Sequence, residues 1–220
     1  MPPATAVDHR IRTGAERRQR TRHKLLTAAF RLLAERGMDE PIIELLIRQA
    51  GVSRGTFYNH FRSERELFLA VVATLSNDVV ASVDPSVRRR ADPAERLACG
   101  IILSIRLVAR HPVIAEFLVK GGIQAVLAGG QAGHTIARDV QAGQAAGLFS
   151  VCQSRLASDL VLGPVLCTFA SLRQQAVDEA YLQALAYRIL LSLGMSDEAA
   201  RPIAGQAYGE PEPCSDAIFL

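Results

Sequence analysis

The chain has 220 residues, of which 49% are hydrophobic and 21% are charged, and its formal net charge is +3. This composition is typical of a folded protein with a large core, and it excludes collagen, a coiled-coil rod and intrinsic disorder. The length fits one or two domains, and we expect two.

The sequence carries no clear membrane or export signal. The longest uncharged stretches, residues 121–137 and 160–172, are interrupted by glycine, proline or polar residues and are unlike a membrane span of roughly 20 apolar residues. The basic N-terminal stretch is not followed by the apolar segment of a secretory signal. We therefore expect a cytoplasmic protein.

The cysteines predict no metal or disulfide site. They form neither a C-x-x-C pair nor a cluster with histidine, so we interpret them as small core residues and expect no cofactor. A redox or metal role is the alternative for these four residues, Cys99, Cys152, Cys167 and Cys214.

Charge is distributed unevenly along the chain. Residues 1–65 contain 13 Lys and Arg against 7 Asp and Glu, whereas the rest contains 12 against 15. A basic first third suggests a polyanionic partner, although such a run is also common on a solvated helix face.

Helix signals dominate the first half. The capping-box spacing of Thr13 and Glu16 predicts a helix from about residue 14, which Gly37 ends. Short apolar segments at 42–50 and before Phe61 follow. A second capping box at Ser63 predicts a helix over 63–83 that ends at Pro85.

The second half is also read as helical. Asp92, followed by proline and then Glu95, predicts a helix from 93 to about Arg110. Further helices are expected at 112–119, loosely up to Gly147, at 154–174 with a kink at Pro164, and at 178–193. No period-two alternation is present, so the predicted fold class is all-α.

The informative segment is AGVSRGTFYNHF, residues 50–61. Two short helices joined by a tight turn make a helix-turn-helix, whose second helix can enter the major groove. Gly51 can adopt the left-handed conformation that ends the first helix, and Ser53 can cap the second. Arg54, Gly55 and Thr56 then occupy a first turn that attracts phosphate.

Residues 20–69 resemble the N-terminal DNA-binding domain of the TetR family of bacterial transcriptional regulators. The matching features are the basic first helix with Ala28-Ala29-Phe30, Gly37, the 50–61 block, and Ser63 followed by Glu66-Leu67-Phe68. The resemblance implies a three-helix helix-turn-helix domain at 17–69, after a flexible basic arm at 1–16. It also implies a helical effector-binding and dimerisation domain at 84–205, followed by a tail at 206–220.

The resemblance implies roles for individual residues. Arg54, Gly55 and Thr56, at the start of the second helix of the helix-turn-helix, would approach bases or phosphates. Tyr58 and His60 would hold flanking phosphates, and basic residues of the first helix of the domain would reach the DNA backbone or minor groove. The predicted DNA-binding residues are Arg17, Arg20, Ser53, Arg54, Gly55, Thr56, Tyr58, Asn59, His60 and Arg65.

Three positions depart from the family pattern. Ile42 replaces a threonine that is common at the start of the segment at 42–50, the first helix of the helix-turn-helix. Ile47 replaces a small residue, and Glu64 replaces a lysine that contacts phosphate. Arg62 or Arg65 can substitute for that lysine.

Several residues have simpler interpretations. Phe57 and Phe61 are read as core, His60 can serve as a helix cap, and Tyr58 can cover the neighbouring helix. An enzyme is the alternative class. However, His111, His134, Asp139 and Cys152 form no catalytic or metal motif, so we expect none.

The last two large helices are apolar around much of their circumference, which predicts a homodimer that binds an inverted-repeat operator. The residues expected in the dimer interface are Leu162, Leu166, Phe169, Leu182, Leu185 and Ile189.

A small, mostly apolar effector is expected between the helices of the second domain. Its candidate lining residues, each equally readable as core, are Ile102, Ile105, Arg106, Phe117, Phe149 and Cys152, with Arg106 facing either a ligand anion or Asp159. The predicted function is a repressor that an effector releases from DNA. The alternative is an activator or a ligand-independent regulator with the same DNA-binding domain.

Overall fold

A computed structural model describes residues 4–37, 41–128, 131–151, 153–172, 174–212 and 214–220, and the part so described is helical without a strand. The all-α prediction is therefore confirmed. Within these ranges the helices are α1 (Ala4–Arg36), α2 (Ile43–Ala50), α3 (Arg54–Tyr58), α4 (Glu64–Arg88), α5 (Pro93–Arg110), α6 (Pro112–Ala128), α7 (Gln131–Ala145), α8 (Ser154–Ser171), α9 (Glu179–Ser192) and α10 (Asp197–Ala204).

The chain divides into two compact units, and the division falls between Val71 and Val72 inside α4. The first unit contains α1, α2, α3 and the start of α4. Its core comes from one stripe of α1 and from residues of the shorter helices that are at most 8% exposed. These residues are Leu25, Leu26, Ala29, Phe30, Leu32, Leu33, Leu46, Phe57, Phe61 and Leu67.

Two of the helix ends that differ from the sequence prediction are the start of α1 and the end of α4. α1 begins at Ala4 rather than near residue 14, so Thr13 lies inside the helix instead of capping it. α4 continues past Pro85 to Arg88. Proline removes one backbone donor but tolerates helical φ, so a helix with only one turn remaining can accommodate it.

Most predicted helix starts are confirmed. The Asp92 carboxylate accepts hydrogen bonds from the N–H groups of Ala94 and Glu95 at 2.7 and 3.3 Å, and Pro93 stands at the first helical position. Ser63 Oγ accepts from Glu66 N at 3.1 Å. These caps are local, which is why the sequence alone predicts them.

The second unit is built around α5, which packs against α6, α7, α8, α9 and α10. α6 breaks at Gly122, where φ is 71°. α7 approaches Phe149 so closely that a Cβ on Gly143 would lie 2.2 Å from the ring. α10 was not predicted, because it is short and contains Pro202.

The C-terminal residues pack onto the second half of α4. Ile218 N donates to Asp78 Oδ2 at 2.8 Å, Cys214 N donates to Ser82 Oγ at 3.1 Å, and Glu212 N donates to Ser82 O at 3.0 Å. Ile218 is 1% exposed. Apart from Phe219, the segment predicted as a tail therefore belongs to the second unit.

Among the described helices, α4 is long and apolar enough by itself to meet a composition test for a membrane span, as α5 and α6 do together across a bend. Core helices of soluble proteins meet the same test. α4 buries Leu75, Val79, Ser82, Val83 and Val87 within the second unit, which is the behaviour of a core helix.

Candidate nucleic-acid interface and internal cavity

The turn between α2 and α3 has the geometry that the sequence predicts. Gly51 adopts φ 60° and ψ 41°, and its N–H donates to Arg48 O at 3.2 Å. Val52 N donates to Ile47 O at 3.1 Å. A side chain at position 51 would be strained in this left-handed conformation, so glycine ends α2 and turns the chain into α3.

Ser53 caps α3. Its Oγ accepts from Thr56 N at 3.0 Å and lies 2.8 Å from Thr56 Oγ1. The cap holds the first turn of α3 in place and fixes the Thr56 side chain. The amphipathic division of α3 then follows from sequence spacing. Phe57 and Phe61 are fully buried, which confirms their interpretation as core residues, whereas Tyr58 is 44% exposed.

The predicted DNA-binding residues are accessible on the first unit. Arg17, Arg20, Ser53, Arg54, Gly55, Tyr58, Asn59 and Arg65 are exposed, and Thr56 and His60 are partly buried. Their roles in DNA binding remain predictions.

Gly55 has no internal packing reason to be glycine. A Cβ built at this position would meet only Ser53 Oγ, at 3.8 Å, which is ordinary van der Waals contact. Glycine in a helix costs about 1 kcal/mol relative to alanine. The space above α3 is therefore open to a molecule outside the chain.

Arg54 is held from two sides on the exposed surface. Its Nη1 lies 2.9 Å from Glu44 Oε1 of α2, and its guanidinium lies 6.0 Å from the centre of the Tyr58 ring. A hydrogen bond with Tyr58 and the charge of Glu44 raise the pKa of Arg54. An exposed ion pair adds little stability, so its main effect is to orient the guanidinium.

Basic residues of α1 lie close to the end of α3. The Arg22 guanidinium lies 4.6 Å from the centre of the Phe61 ring. Partial burial and the positive charges of Arg18 and Arg22 lower the pKa of His60 from its ordinary value of 6.5. The imidazole is therefore neutral at pH 7 and sits in a positive field, where an approaching phosphate would favour its protonation.

Glu64 has a role that the sequence analysis did not anticipate. Its Oε1 accepts hydrogen bonds from Ile42 N at 3.0 Å and Ile43 N at 3.3 Å, at the N-terminus of α2. The carboxylate thus replaces the cap that Ile42 cannot supply. Arg62 and Arg65 are exposed beside it and remain available as substitutes for the family lysine.

The second unit contains a cavity of about 100 Å³ between α4, α5, α7 and α8. Its wall is mainly aliphatic, with side chains from all four helices. The apolar residues are Val80, Val83, Val87, Leu97, Ile101, Ala132, Ile136, Val161, Leu162 and Val165, and the polar ones are Asp84, Arg96, Ser104, Thr135 and Asp139.

The cavity lies on a different face of α5 from the one predicted. Ile102, Ile105, Arg106, Phe117 and Phe149 do not line it, and Cys152 falls outside the described residues. Four of the five are core residues with 5% exposure or less. Arg106 Nη2 pairs with Glu179 Oε2 at 2.5 Å, and Arg106 Nη1 donates to Gly209 O. Its described partner is thus neither a ligand nor Asp159.

Most residues predicted for the dimer interface face inward. Leu162, Phe169, Leu182 and Ile189 are 2 to 6% exposed within one protomer, so they pack against their own chain. Leu166 and Leu185 are partly buried. The sequence indicates that these helices are apolar all round, but it does not show which side faces the core.

Comparison with known protein families gives two matches that cover different parts of the chain. Residues 25–71 match the model described as bacterial regulatory proteins, tetR family. Residues 92–206 match the model described as tetracyclin repressor-like, C-terminal domain. The chain belongs to the TetR family.

Curated relatives of this TetR-family chain are similar mainly over part of their length. The HTH-type transcriptional activator FasR of Mycolicibacterium smegmatis is 32% identical over 84 residues, which is 38% of each protein. The HTH-type transcriptional regulator EthR of the same species is 30% identical over 93 residues, 42% of this chain and 43% of EthR. The chain thus matches about two fifths of the length of these relatives.

Solved structures match over most of the chain. RolR in complex with resorcinol has a TM-score of 0.68 at 29% identity, covering 91% of this chain and all of RolR. FadR of Bacillus subtilis in complex with stearoyl-CoA has a TM-score of 0.58 at 20% identity, covering 79% and 97%. The second match supports the fold alone. The family and these relatives are DNA-binding transcriptional regulators and not enzymes.

Proposed function

We propose that this TetR-family protein is a cytoplasmic repressor that binds an inverted-repeat operator as a homodimer and is released by a small effector. The observation that carries the DNA-binding part is the exposed first turn of α3. There Gly55 leaves open space beside an oriented Arg54, on a capped helix that is the size of a major-groove reader.

Within this proposal, Arg54, Gly55 and Thr56 approach bases and phosphates from the N-terminal end of α3. Tyr58 and His60 bind the flanking phosphates, with Ser53 and Asn59 beside them. Arg17, Arg20 and Arg65 contact the backbone, since phosphate contacts supply most of the affinity and base contacts supply the specificity.

The dimer is proposed to form through the outward faces of α8 and α9. Each helix carries exposed or half-buried residues at alternating spacings of three and four, which is the pattern of packed helices. The α8 stripe is Leu156, Leu160, Gly163, Cys167 and Ala170, and the α9 stripe is Tyr181, Ala184, Arg188 and Leu191. Leu156 is 45% exposed in one protomer, so a partner would bury substantial apolar surface.

The effector is proposed to occupy the cavity between α4, α5, α7 and α8. The resorcinol complex of RolR supports a small effector rather than a long one. α4 begins directly after the helix-turn-helix and also forms a wall of this cavity. A ligand that shifts α4 therefore provides coupling, which amounts to roughly 1–3 kcal/mol in typical allosteric proteins.

The decisive experiment is selection of bound duplexes from a random DNA pool, followed by release measurements with candidate effectors. Recovery of one palindrome with half-sites about 34–36 Å apart supports the dimeric reader. Recovery of no preferred sequence contradicts it. Arg54→Ala should abolish the preference, whereas Arg155→Ala, which changes an exposed arginine of α8, should leave it intact.

The alternative is an activator with the same DNA-binding domain, and it is favoured by the likeness to FasR, whose name describes an activator. A reporter gene placed behind the selected operator distinguishes the two. A repressor lowers expression until effector is added, and an activator raises it. DNA binding that no small molecule alters indicates a ligand-independent regulator.

A further inference from the structure

We propose that the effector is a small neutral molecule, about the size of one six-membered ring, whose hydroxyl group donates a hydrogen bond to Asp84. This inference rests on the proposed effector cavity and names the chemistry that the cavity selects. It is carried by the hydrogen-bonding state of the polar groups on the cavity wall.

Asp84 presents one unused acceptor. Its Oδ2 pairs with Arg88 Nε at 2.5 Å, whereas its Oδ1 is buried and has no hydrogen-bond partner among the described residues. A buried acceptor without a donor carries a desolvation cost, and such atoms are rare in native proteins. A ligand that supplies a donor to Oδ1 removes this cost, once the carboxylate turns this oxygen toward the cavity.

Two neighbouring polar groups, Thr135 and Asp139, also lack free donors. Thr135 Oγ1 donates within its own helix, with Gln131 O and Ala132 O both at 3.0 Å, so only its lone pairs remain available to a ligand. Asp139 is 3% exposed, and both its oxygens are bonded to arginines. Asp84, Thr135 and Asp139 therefore offer acceptors, and a ligand that contacts them must bring the donor.

An anionic ligand does not fit this end. The arginine on the wall, Arg96, directs its Nε to Asp139 Oδ1 at 2.7 Å and its Nη1 to Ala91 O at 2.9 Å. These two donors are already committed, and a carboxylate bound here would lie next to the unpaired oxygen of Asp84.

A cationic ligand is disfavoured for a different reason. Asp84 already has Arg88 as its counter-ion, and Asp139 is shared by Arg96 and Arg138. The three arginines carry one charge more than the two carboxylates, so a buried ammonium group would lack a free counter-ion. A neutral hydroxyl meets both conditions.

An adjoining polar recess shares Val80, Asp84 and Thr135 with the cavity and includes Asn77, whose buried Oδ1 has no partner among the described residues. An amide can present either its oxygen or its NH₂ group by turning over. Asn77 can therefore bind a second polar substituent of the ligand, whether that substituent donates or accepts a hydrogen bond. Asp84 alone requires a donor.

The cavity volume limits the size of the ligand. The cavity has a volume of about 100 Å³, and an apolar cavity of about 150 Å³ is known to hold benzene. A single ring with a hydroxyl therefore fits after a small expansion of the aliphatic wall, and an acyl chain of many carbons does not. The described residues of the wall include no aromatic side chain, so saturated and aromatic rings are both admitted.

The test is isothermal titration of the full-length protein with phenol, cyclohexanol, anisole, benzoate and benzylamine, in parallel with thermal shift. Phenol and cyclohexanol should bind. Anisole, which has no donor, should bind roughly tenfold to a hundredfold more weakly, since the hydrogen bond to a charged group is lost. Benzoate and benzylamine should be weaker by a similar factor, since neither charge finds a free counter-ion in the cavity.

Asp84→Ala should remove the preference for phenol over anisole, and Asp159→Asn, which alters an exposed acid of α8, should leave it unchanged. Equal binding of anisole and phenol, tighter binding of benzoate, or no binding of any ring overturns the inference.

The titration needs no DNA, so the two proposals fail separately. Binding of phenol by a protein that selects no operator would remove the proposed function and leave the ligand chemistry standing. Operator binding by a protein that no hydroxylated ring alters, and whose titration with these rings gives no heat, would remove the ligand chemistry. It would leave the DNA-binding part of the proposed function standing.

Discussion

Glu64 Oε1 accepts a hydrogen bond from Ile42 N at 3.0 Å, and this contact joins the first residue of α4 to the start of α2. The same oxygen accepts from Ile43 N at 3.3 Å. Helix N-termini have unpaired N–H groups and a partial positive charge. A carboxylate there stabilises the helix both by accepting hydrogen bonds and by its charge. The residues that depart from the family pattern at 42 and 64 therefore compensate for each other.

Glu64→Ala should lower the free energy of unfolding of the protein by about 1–2 kcal/mol, the usual cost of a lost cap. Glu64→Gln keeps an acceptor oxygen and should lose less than half of that amount. Urea denaturation followed by circular dichroism measures both. Glu35→Ala, on the exposed face of α1, is the control, and equal losses in all three variants would contradict a capping role.

Local signals explain which features the sequence predicts well. The caps at Ser63 and Asp92 depend on residues two or three positions away, and Gly51 ends α2 through its own backbone conformation. The buried positions of Phe57 and Phe61 follow from their spacing. The sequence therefore predicts the helix-turn-helix geometry almost completely.

Features that depend on distant residues were missed or misplaced. The cap of α2 comes from a residue 22 positions later, and Arg106 meets Glu179 across 73 positions. α8 and α9 carry apolar residues on several sides, so periodicity does not separate the face toward the core from the face toward a partner. The cavity depends on how four helices meet, which no single helix encodes.

The Glu44–Arg54 pair should determine how strictly the operator is read. Glu44→Gln frees the guanidinium of Arg54 and removes a negative charge near the DNA. We expect binding to random DNA to rise and the preference at one base pair to fall by roughly tenfold, because a bidentate arginine contact contributes about 1–3 kcal/mol of discrimination. Sequencing of selected duplexes measures this preference.

The control for that variant is Glu35→Gln, which removes the same charge from the exposed face of α1. It should change general affinity without changing the preferred base. An unaltered preference in Glu44→Gln would mean that Glu44 does not orient the guanidinium of Arg54 in the complex.

His60 should make operator binding depend on pH. Its pKa in the free protein is below 6.5 because of burial and the charges of Arg18 and Arg22. A bound phosphate favours the imidazolium and raises this pKa, so binding takes up protons and affinity increases as pH falls from about 7.5 to 6. For two histidines per dimer, log K against pH should approach a slope of roughly −1 to −2.

Fluorescence anisotropy with labelled operator at constant salt gives this slope. His60→Gln should flatten it, whereas His134→Gln, which replaces an exposed histidine of α7, should not. A pH dependence that survives in His60→Gln belongs to other groups.

The arginines of α1 should appear in the salt dependence of binding. Each phosphate contact adds about −0.9 to the slope of log K against log salt, so a dimer with eight contacts shows roughly −7. Arg20→Ala removes two contacts per dimer and should make the slope shallower by about 1.8, with no change of preferred sequence. Arg155→Ala is the matched control, and an unchanged slope in Arg20→Ala would place this residue away from the DNA.

The proposed dimer face is best tested by placing a charge in it. Ala170→Arg introduces a cation into the α8 stripe, and Ala145→Arg makes the same change at the exposed end of α7. A guanidinium without a counter-ion inside an apolar interface costs several kcal/mol. Sedimentation equilibrium should therefore show that the Ala170→Arg dimer dissociates, with a dimer affinity at least a hundredfold lower. Ala145→Arg should stay dimeric. Operator affinity should fall in parallel, because one protomer reads only one half-site. A fully dimeric Ala170→Arg would move the interface to another surface.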